Sequence, residues 1–372
     1  MNKTLVFYYS ATGNTRRAVG VLEQVFRARD WQVAVAELDQ SVLAAPAPEA
    51  LAGLAAGDLL VVAFPVLGFS SPYPVLSWVR RLPKTAPGVR AVVLCACGAT
   101  MVNGQILPGW AGGATLTIAR VLRNKGYQVL GIAEASYPEN WTQVSNPPYG
   151  KEAEAMQEQG DGQARKFAQA ILSGQVVHLK RNPFGVAVAQ VVGVVFRNLA
   201  SRFLGILFMA DTTCTGCGWC ARTCPARAIT MKSHRPVWNV KCSACNRCIN
   251  GCPARAIQTS VARLVLLGGL NIVALVLVWS VSAAVLAGLG TGEGGTPAWL
   301  SWVKIPLGIV LYCAITLLQI SPLNLLLSRL ERVPARKSFF GMAFTRNFRR
   351  YLAPGMATAL RIPPERTKKN EN

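Results

Sequence analysis

Over the first 175 positions, short apolar runs alternate with helix-like stretches. Lys3 to Tyr9 reads as a buried parallel strand, and 32–38, 59–64, 90–96 and 127–133 are further strand-like runs. Helical stretches lie between them, from about Arg16 to Arg29 and near 72–82, 112–125 and 151–173. Strands alternating with helices predict a doubly wound α/β sheet of parallel strands. Farther along, the pattern changes. Residues 183–209 are apolar apart from Arg197, Arg202 and a few polar positions. Leu264 to Gly292 and Ile305 to Ser328 carry no charged residue at all. Each of these last two exceeds the ~20 residues that a helical membrane span requires. The uncharged run Asn182 to Phe196 is too short to span. It reads as a linker helix or strand packed on its neighbours, with a membrane-surface helix as the alternative.

Between the α/β region and the long apolar stretches, eight cysteines form a repeat. Cys214, Cys217, Cys220 and Cys224-Pro225 return 28 positions later as Cys242, Cys245, Cys248 and Cys252-Pro253, and Cys-Pro-Ala-Arg-Ala-Ile closes both copies. This C-x2-C-x2-C-x3-C-P run resembles that of bacterial two-cluster ferredoxins. Two-residue gaps let one tight loop supply three thiolates to a cubane, and the fourth comes from the other repeat. The expected sets are Cys214, Cys217, Cys220 and Cys252 for one [4Fe–4S] cluster, and Cys242, Cys245, Cys248 and Cys224 for the other. Zinc is disfavoured because paired C-x2-C knuckles do not carry a third cysteine at the same spacing. Disulfides would need an oxidising compartment, and nothing in the sequence indicates export.

Composition adds a direction. The chain is 51% hydrophobic and only 15% charged, which points to a membrane part. Lys3 precedes only a short apolar stretch, so the beginning does not read as a signal peptide. Net charge is +22, unevenly spread: 19 Lys/Arg oppose 12 Asp/Glu over residues 1–210, and 20 oppose 5 over 211–372. The cysteine repeats hold Arg222, Arg227, Lys232, Arg235, Lys241, Arg247 and Arg255 against Asp211. Nearby positive charge favours the reduced cluster and raises its potential. It also suits an acidic redox partner or an anionic lipid surface. Because the excess sits beside the cysteines and the apolar spans, nucleic acid is not the expected partner.

The loop Ser10-Ala11-Thr12-Gly13-Asn14-Thr15 follows the first strand and opens the first helix, where free backbone N–H groups and the helix dipole attract a phosphate. Ser10, Thr12, Asn14 and Thr15 add side-chain donors, and Gly13 lets the backbone come close. Neither G-x-x-x-x-G-K-[ST] nor G-x-G-x-x-G is present, which disfavours an NTP-hydrolysing loop and a dinucleotide. The loop resembles the phosphate loop of flavodoxins. That resemblance implies FMN and five strands in the order 2-1-3-4-5. It also places two further loops at the flavin, one with Pro65, Val66, Gly68 and Phe69, the other with Cys97, Gly98 and Ala99. The usual Trp and Tyr flanking the ring are missing. Pro138 and Asn140 match a P-x-N stretch after the last flavodoxin strand, so residues 1–260 resemble prokaryotic proteins that fuse a flavodoxin-like domain to a two-cluster ferredoxin.

The expected organisation is therefore a flavodoxin-like domain (1–175), a linker or interfacial helix (176–203), a two-cluster ferredoxin domain (204–260), a transmembrane hairpin (261–328, spans about 264–290 and 305–327) and a basic tail (329–372). The connecting loop, about 291–304, carries only Glu293 and Lys304, whereas both outer flanks are basic. The positive-inside rule then puts both redox domains and the tail on the cytoplasmic side of a prokaryotic inner membrane. The tail from Lys337 to Arg350 interleaves phenylalanines with basic residues and reads equally as lipid-lying or packed. The expected function is electron transfer between FMN, two clusters and a redox partner at the membrane. The alternatives are a flavin and iron–sulfur reductase of a quinone or other small substrate, and a redox scaffold without flavin. No catalytic residue set stands out.

Overall fold

In this computed structural model, residues 2–289, 308, 310–331, 339 and 341–361 are described. The expected loop at 291–304, the start of the second apolar stretch and much of the tail lie outside the described residues.

The first unit contains β1 (Lys3–Tyr8), β2 (Gln32–Glu37), β3 (Leu59–Pro65), β4 (Arg90–Val102), β5 (Gln105–Leu107) and β6 (Gln128–Pro138). The parallel strands run β2-β1-β3-β4-β6, the flavodoxin-like order 2-1-3-4-5 once the short β5 is set aside. Side chains alternate between two cores, one on each sheet face. Leu60, Val62 and Phe64 of β3 enter one, and Leu59, Val61 and Ala63 the other. With both faces covered, the strand must be apolar at every position, which is why it reads as an unbroken run. The covering helices are α1 (Asn14–Arg27), α2 (Gln40–Ala44), α3 (Glu49–Ala52), α4 (Tyr73–Arg81), α5 (Ala114–Asn124) and α6 (Gly150–Leu172). Arg17 of α1 forks onto Asp161 of α6 at 2.8 to 3.0 Å and fastens two helices on the same face. One expectation fails in detail. The segment 97–104 is not a loop: β4 continues to Val102 and turns at Asn103-Gly104 into β5.

After α6, Val177 pairs with Gly131 at the sheet edge, and the chain enters α7 (Pro183–Val195). A π-helical turn (Phe196–Ala200) joins α7 to α8 (Ser201–Ile206). This element is longer than the uncharged run suggests. Pro183–Ile206 is one of two described helices long and apolar enough to cross a membrane. Ala189 and Gly193 are buried against the first unit, whereas Phe184, Val191 and Val194 are exposed.

The cysteine-rich unit has two small antiparallel pairs, β7 (Phe208–Ala210) with β10 (Ile257–Thr259) and β8 (Ile229–Lys232) with β9 (Arg235–Trp238). Two short helices, α9 (Trp219–Arg222) and α10 (Arg247–Gly251), follow the first two cysteines of each repeat and carry the third, Cys220 and Cys248. Next comes α11 (Val261–Leu289), the other helix apolar enough to span, over Val261–Val281. The second apolar stretch is helical at 310–318, passes through a π turn at Gln319–Leu323 containing Pro322, and resumes as an α-helix over Asn324–Leu330. Arg263 joins the two stretches, with Nε 2.5 Å from Glu331 and Nη1 2.8 Å from Asn324, and Asn271 donates to Gln319 at 2.7 Å.

The tail residues 341–361 pack on protein. Ala343 bridges to Ser260, Thr345 accepts from the Thr259 N–H, and Trp219 Nε1 donates to the Leu360 carbonyl. Arg350 is buried, and burial followed by repulsion from Arg255 pushes its guanidinium down to about 10. For this part of the tail, the packed reading is the one observed.

Candidate functional site

The 28-residue repeat is also a repeat of backbone conformation. Positive φ occurs at Gly216 and Ala244 (69° and 53°), at Gly218 and Asn246 (70° and 59°), and at Arg227 and Arg255 (49° and 52°). Each pair is 28 residues apart. These left-handed residues turn the chain sharply between cysteines, so that three thiols of one loop face inward. Glycine makes this inexpensive in the first copy. The second copy uses Ala244 and Asn246, where an alanine in that region carries strain.

The cysteines gather crosswise. Cys242, Cys245, Cys248 and Cys224 line one small cavity together with Phe208 and Trp238. Cys220 is buried among Cys252, Cys214 and Cys217, whose charges raise its pKa further, and burial is the larger cause. Burial pushes Cys220 up to about 12 and Cys224 to about 11, and it also raises Cys242, Cys248 and Cys252. Such thiols stay protonated until a cation compensates the thiolates, so ligation must release protons. The backbone N–H groups of Ala228 and Ala256 approach Cys224 and Cys252 sulfurs at 3.3 and 3.4 Å, two more equivalents at 28-residue spacing. Four soft thiols per set, enclosed by Ile229, Ile249 and Ile257, are the donor chemistry of an iron–sulfur cage. Among the described residues, no three His, Cys, Asp or Glu side chains converge on a single-ion centre.

This unit docks on the carboxyl ends of the first unit's strands. Arg247 is the pivot. Its Nε donates to the Ala11 carbonyl at 3.0 Å, Nη1 to Thr223 at 3.0 Å, and Nη2 to the Ser10 carbonyl and to Glu37, the last at 2.8 Å. Thr142 donates to Asn250 at 2.7 Å, Asn250 donates to the Asn140 carbonyl, and the Gln143 N–H donates to Asn246. Asn140 in turn donates to Thr12 Oγ1. The P-x-N stretch thus ties the phosphate-type loop to the cysteine unit. Sequence reasoning named Asn140, counted Arg247 only among the cations of the repeats, and missed Asn250; the only signal for their docking role is polarity inside a cysteine motif.

Of the residues expected at a flavin, Ser10, Thr12, Asn14, Thr15, Pro65, Val66, Cys97 and Gly98 do meet. They line a cavity of about 40 Å³ that Cys245 also borders. Gly13, at φ 108°, lies against Ala353 and Met356. Gly68 and Phe69 turn away, with Gly68 against the Phe196 ring and Phe69 5.5 Å from Trp110, and Ala99 is buried within β4. These three do not line the cavity. Among the described residues, the buried Thr15 Oγ1 has no partner, which suits a phosphate oxygen at the start of α1. A whole nucleotide needs a pocket of roughly 300 Å³ or more. The donor set therefore fits a phosphate group, and Cys245 of the cysteine unit closes one side of the cavity.

Residues 213–259 match the 4Fe-4S dicluster domain family. No curated protein matches the chain. Among solved structures, a short-chain flavodoxin associated with a non-canonical PDU bacterial microcompartment is 14% identical, covering 47% of this chain and 99% of its own, with a TM-score of 0.31. Flavodoxin 2 from Bacillus cereus is 17% identical over 46% and 99%, with a TM-score of 0.31. An NAD(P)H:quinone oxidoreductase from Methanothermobacter marburgensis is 14% identical over 46% and 100%, with a TM-score of 0.30. The strand order of the first unit carries the fold assignment on its own. The first unit has the flavodoxin-like fold, and the residues that match the 4Fe-4S dicluster family follow it in the chain.

Proposed function

We propose that this protein is a membrane-anchored electron carrier with two [4Fe–4S] clusters, in which the flavodoxin-like unit holds the cluster unit by its cofactor edge. The crosswise meeting of the eight cysteines carries this reading. A [4Fe–4S] cluster supplies one-electron redox chemistry. The chain's own residues do the rest. Buried Arg247 fixes the second cysteine loop, the three isoleucines exclude water, and the surrounding arginines favour the more negative, reduced state. Two long apolar helices and a hairpin stapled by Arg263 support anchoring. The basic flanks of the hairpin favour a cytoplasmic placement of both redox units. An acidic protein partner suits the same basic surface.

FMN in the loop at 10–15 is a second reading, favoured by the unpartnered Thr15 hydroxyl. It requires the cysteine unit to move off the sheet edge. Redox titration of the full chain, purified anaerobically from the membrane fraction, tests the main reading. Two one-electron waves with the optical bands of iron–sulfur clusters are expected. A folded protein without such waves would refute it, and a two-electron flavin wave at unit stoichiometry would establish the second reading.

A further inference from the structure

A cavity of about 840 Å³ lies where the cysteine unit meets the first turn of α11 and Glu331. Its walls come from four places: β7, the β8–β9 turn with β9, the first turn of α11, and the tail at 341–346. Val261 and Arg263 on one side and Glu331 on the other put its lower rim at the level where the apolar helices begin and end. The floor is apolar and aromatic, with Phe208, Met209, Trp238, Met342 and Phe344. Lys232, Arg235, Arg263 and Arg346 also line it, against the two carboxylates Asp211 and Glu331.

Two of those wall residues have a second exposure. Phe208 and Trp238 also line the cavity of the second cysteine set, Cys224, Cys242, Cys245 and Cys248. Their rings are stacked, with centroids 5.6 Å apart and planes 30° apart. One aromatic pair thus forms the partition between a thiol cage and a pocket at the hairpin base. Trp238 Nε1 is buried with no hydrogen-bond partner among the described residues, a donor left over by the protein itself. Leaving such a group unsatisfied is costly, so a ligand oxygen or cluster sulfur facing it would be favoured.

From this we infer that the cavity binds the ring of a lipid-soluble quinone, which enters from the bilayer side and lies against Phe208 and Trp238. The volume is within the usual 300–1,000 Å³ of small-molecule sites. The combination of an apolar, aromatic floor with cationic side chains matches a ring that is apolar in its plane and carries two carbonyl acceptors. A water-soluble anion would be poorly served by the floor, and a saturated acyl chain would make no use of the cations. The inference rests on the two-cluster reading for its electrons. With two reduced clusters held by the cysteine sets, a quinone seated here would accept one electron from each and two protons from water, and would leave as the quinol.

The test uses the full chain in detergent with both clusters present. A decyl-tailed benzoquinone is the probe, and Ala343→Trp and Val237→Trp each fill the cavity from a different wall. Saturable binding of the probe by equilibrium dialysis, weakened at least tenfold in either variant that keeps its iron and visible spectrum, is expected. Reoxidation of the reduced protein by the probe should also saturate and slow at least tenfold in that variant, while reoxidation by ferricyanide stays unchanged. Reoxidation that rises linearly with probe concentration and ignores both substitutions would overturn the site. So would equal binding of decylbenzene, which marks a cavity for lipid chains. Absence of iron from the wild-type chain would instead refute the two-cluster reading, with probe binding still measurable.

Discussion

Arg247 ties the cysteine unit to the first unit through Ser10, Ala11 and Glu37. It is 5% exposed, and its guanidinium serves Ser10, Ala11, Thr223 and Glu37 at once. Arg247→Met would leave three carbonyls and a carboxylate without their donor, a loss on the order of 3–5 kcal/mol by analogy with broken buried ion pairs. Because Glu37 keeps 24% of its side-chain surface exposed, the lower end of that range is expected in urea unfolding. A loss under about 0.5 kcal/mol would place the docking energy elsewhere. The crosswise ligand sets make a sharper forecast. C214S/C252S removes two ligands from one set and should retain about half the iron. C214S/C224S removes one ligand from each set and should compromise both clusters. Equal iron in the two double variants would contradict the crossing. The thiols also set a pH dependence. Their pKa values are raised, so protons compete with iron more strongly than at a free cysteine, and cluster retention falls as pH falls. Loss of the visible band to a chelator should be faster at pH 6 than at pH 8. The eight cysteines were legible because spacing alone encodes a cage. Arg247, Asn250 and Trp238 were not, because their partners lie more than a hundred residues away or in a cavity that exists only after packing.

At the scale of elements, the strand and helix positions of the first unit could be read from apolar runs, since burial on both faces leaves little room for polar residues, whereas the strand order came only from the resemblance of the loop at 10–15 to flavodoxins. The extension of β4 could not. Gly98 and Asn103-Gly104 suggest a loop, and tertiary pairing with β5 and β6 overrides that local signal. The helix at Pro183–Ile206 was underestimated for a related reason. Arg197 and Arg202 interrupt the apolar run but not the helix, which bends through a π turn at Phe196–Ala200 and continues. The contact between the start of α11 and residues 324–331 depends on Arg263, 3% exposed and bonded to Glu331, Asn324 and the Ile206 carbonyl. Arg263→Met should destabilise the hairpin, by less than the roughly 3–5 kcal/mol of a fully buried pair, because Glu331 keeps about a fifth of its surface. R263M/E331M should cost less than the two single changes together. Unfolding in mixed detergent micelles measures both, and strict additivity would show that the pair is not coupled.

At the scale of the whole molecule, the cluster unit sits between the flavodoxin-like sheet, the hairpin base and the returning tail. Tyr351 donates to Asn14, and the Ala353 N–H donates to the Thr12 carbonyl, so the tail closes over the same loop that Arg247 holds from the other side. No local pattern announces this arrangement, since docking surfaces have no period of their own. If the apolar helices are embedded, the full chain stays with the membrane pellet after an alkaline carbonate wash, and recovery in the supernatant would argue against anchoring. The most direct test of the account is Mössbauer spectroscopy, with iron and sulfide analysis, of the full chain enriched in ⁵⁷Fe and purified without oxygen. About eight irons and eight sulfides per chain, all in the quadrupole doublets of [4Fe–4S] clusters, are predicted. A folded chain that holds zinc, or about four irons or fewer, would contradict it.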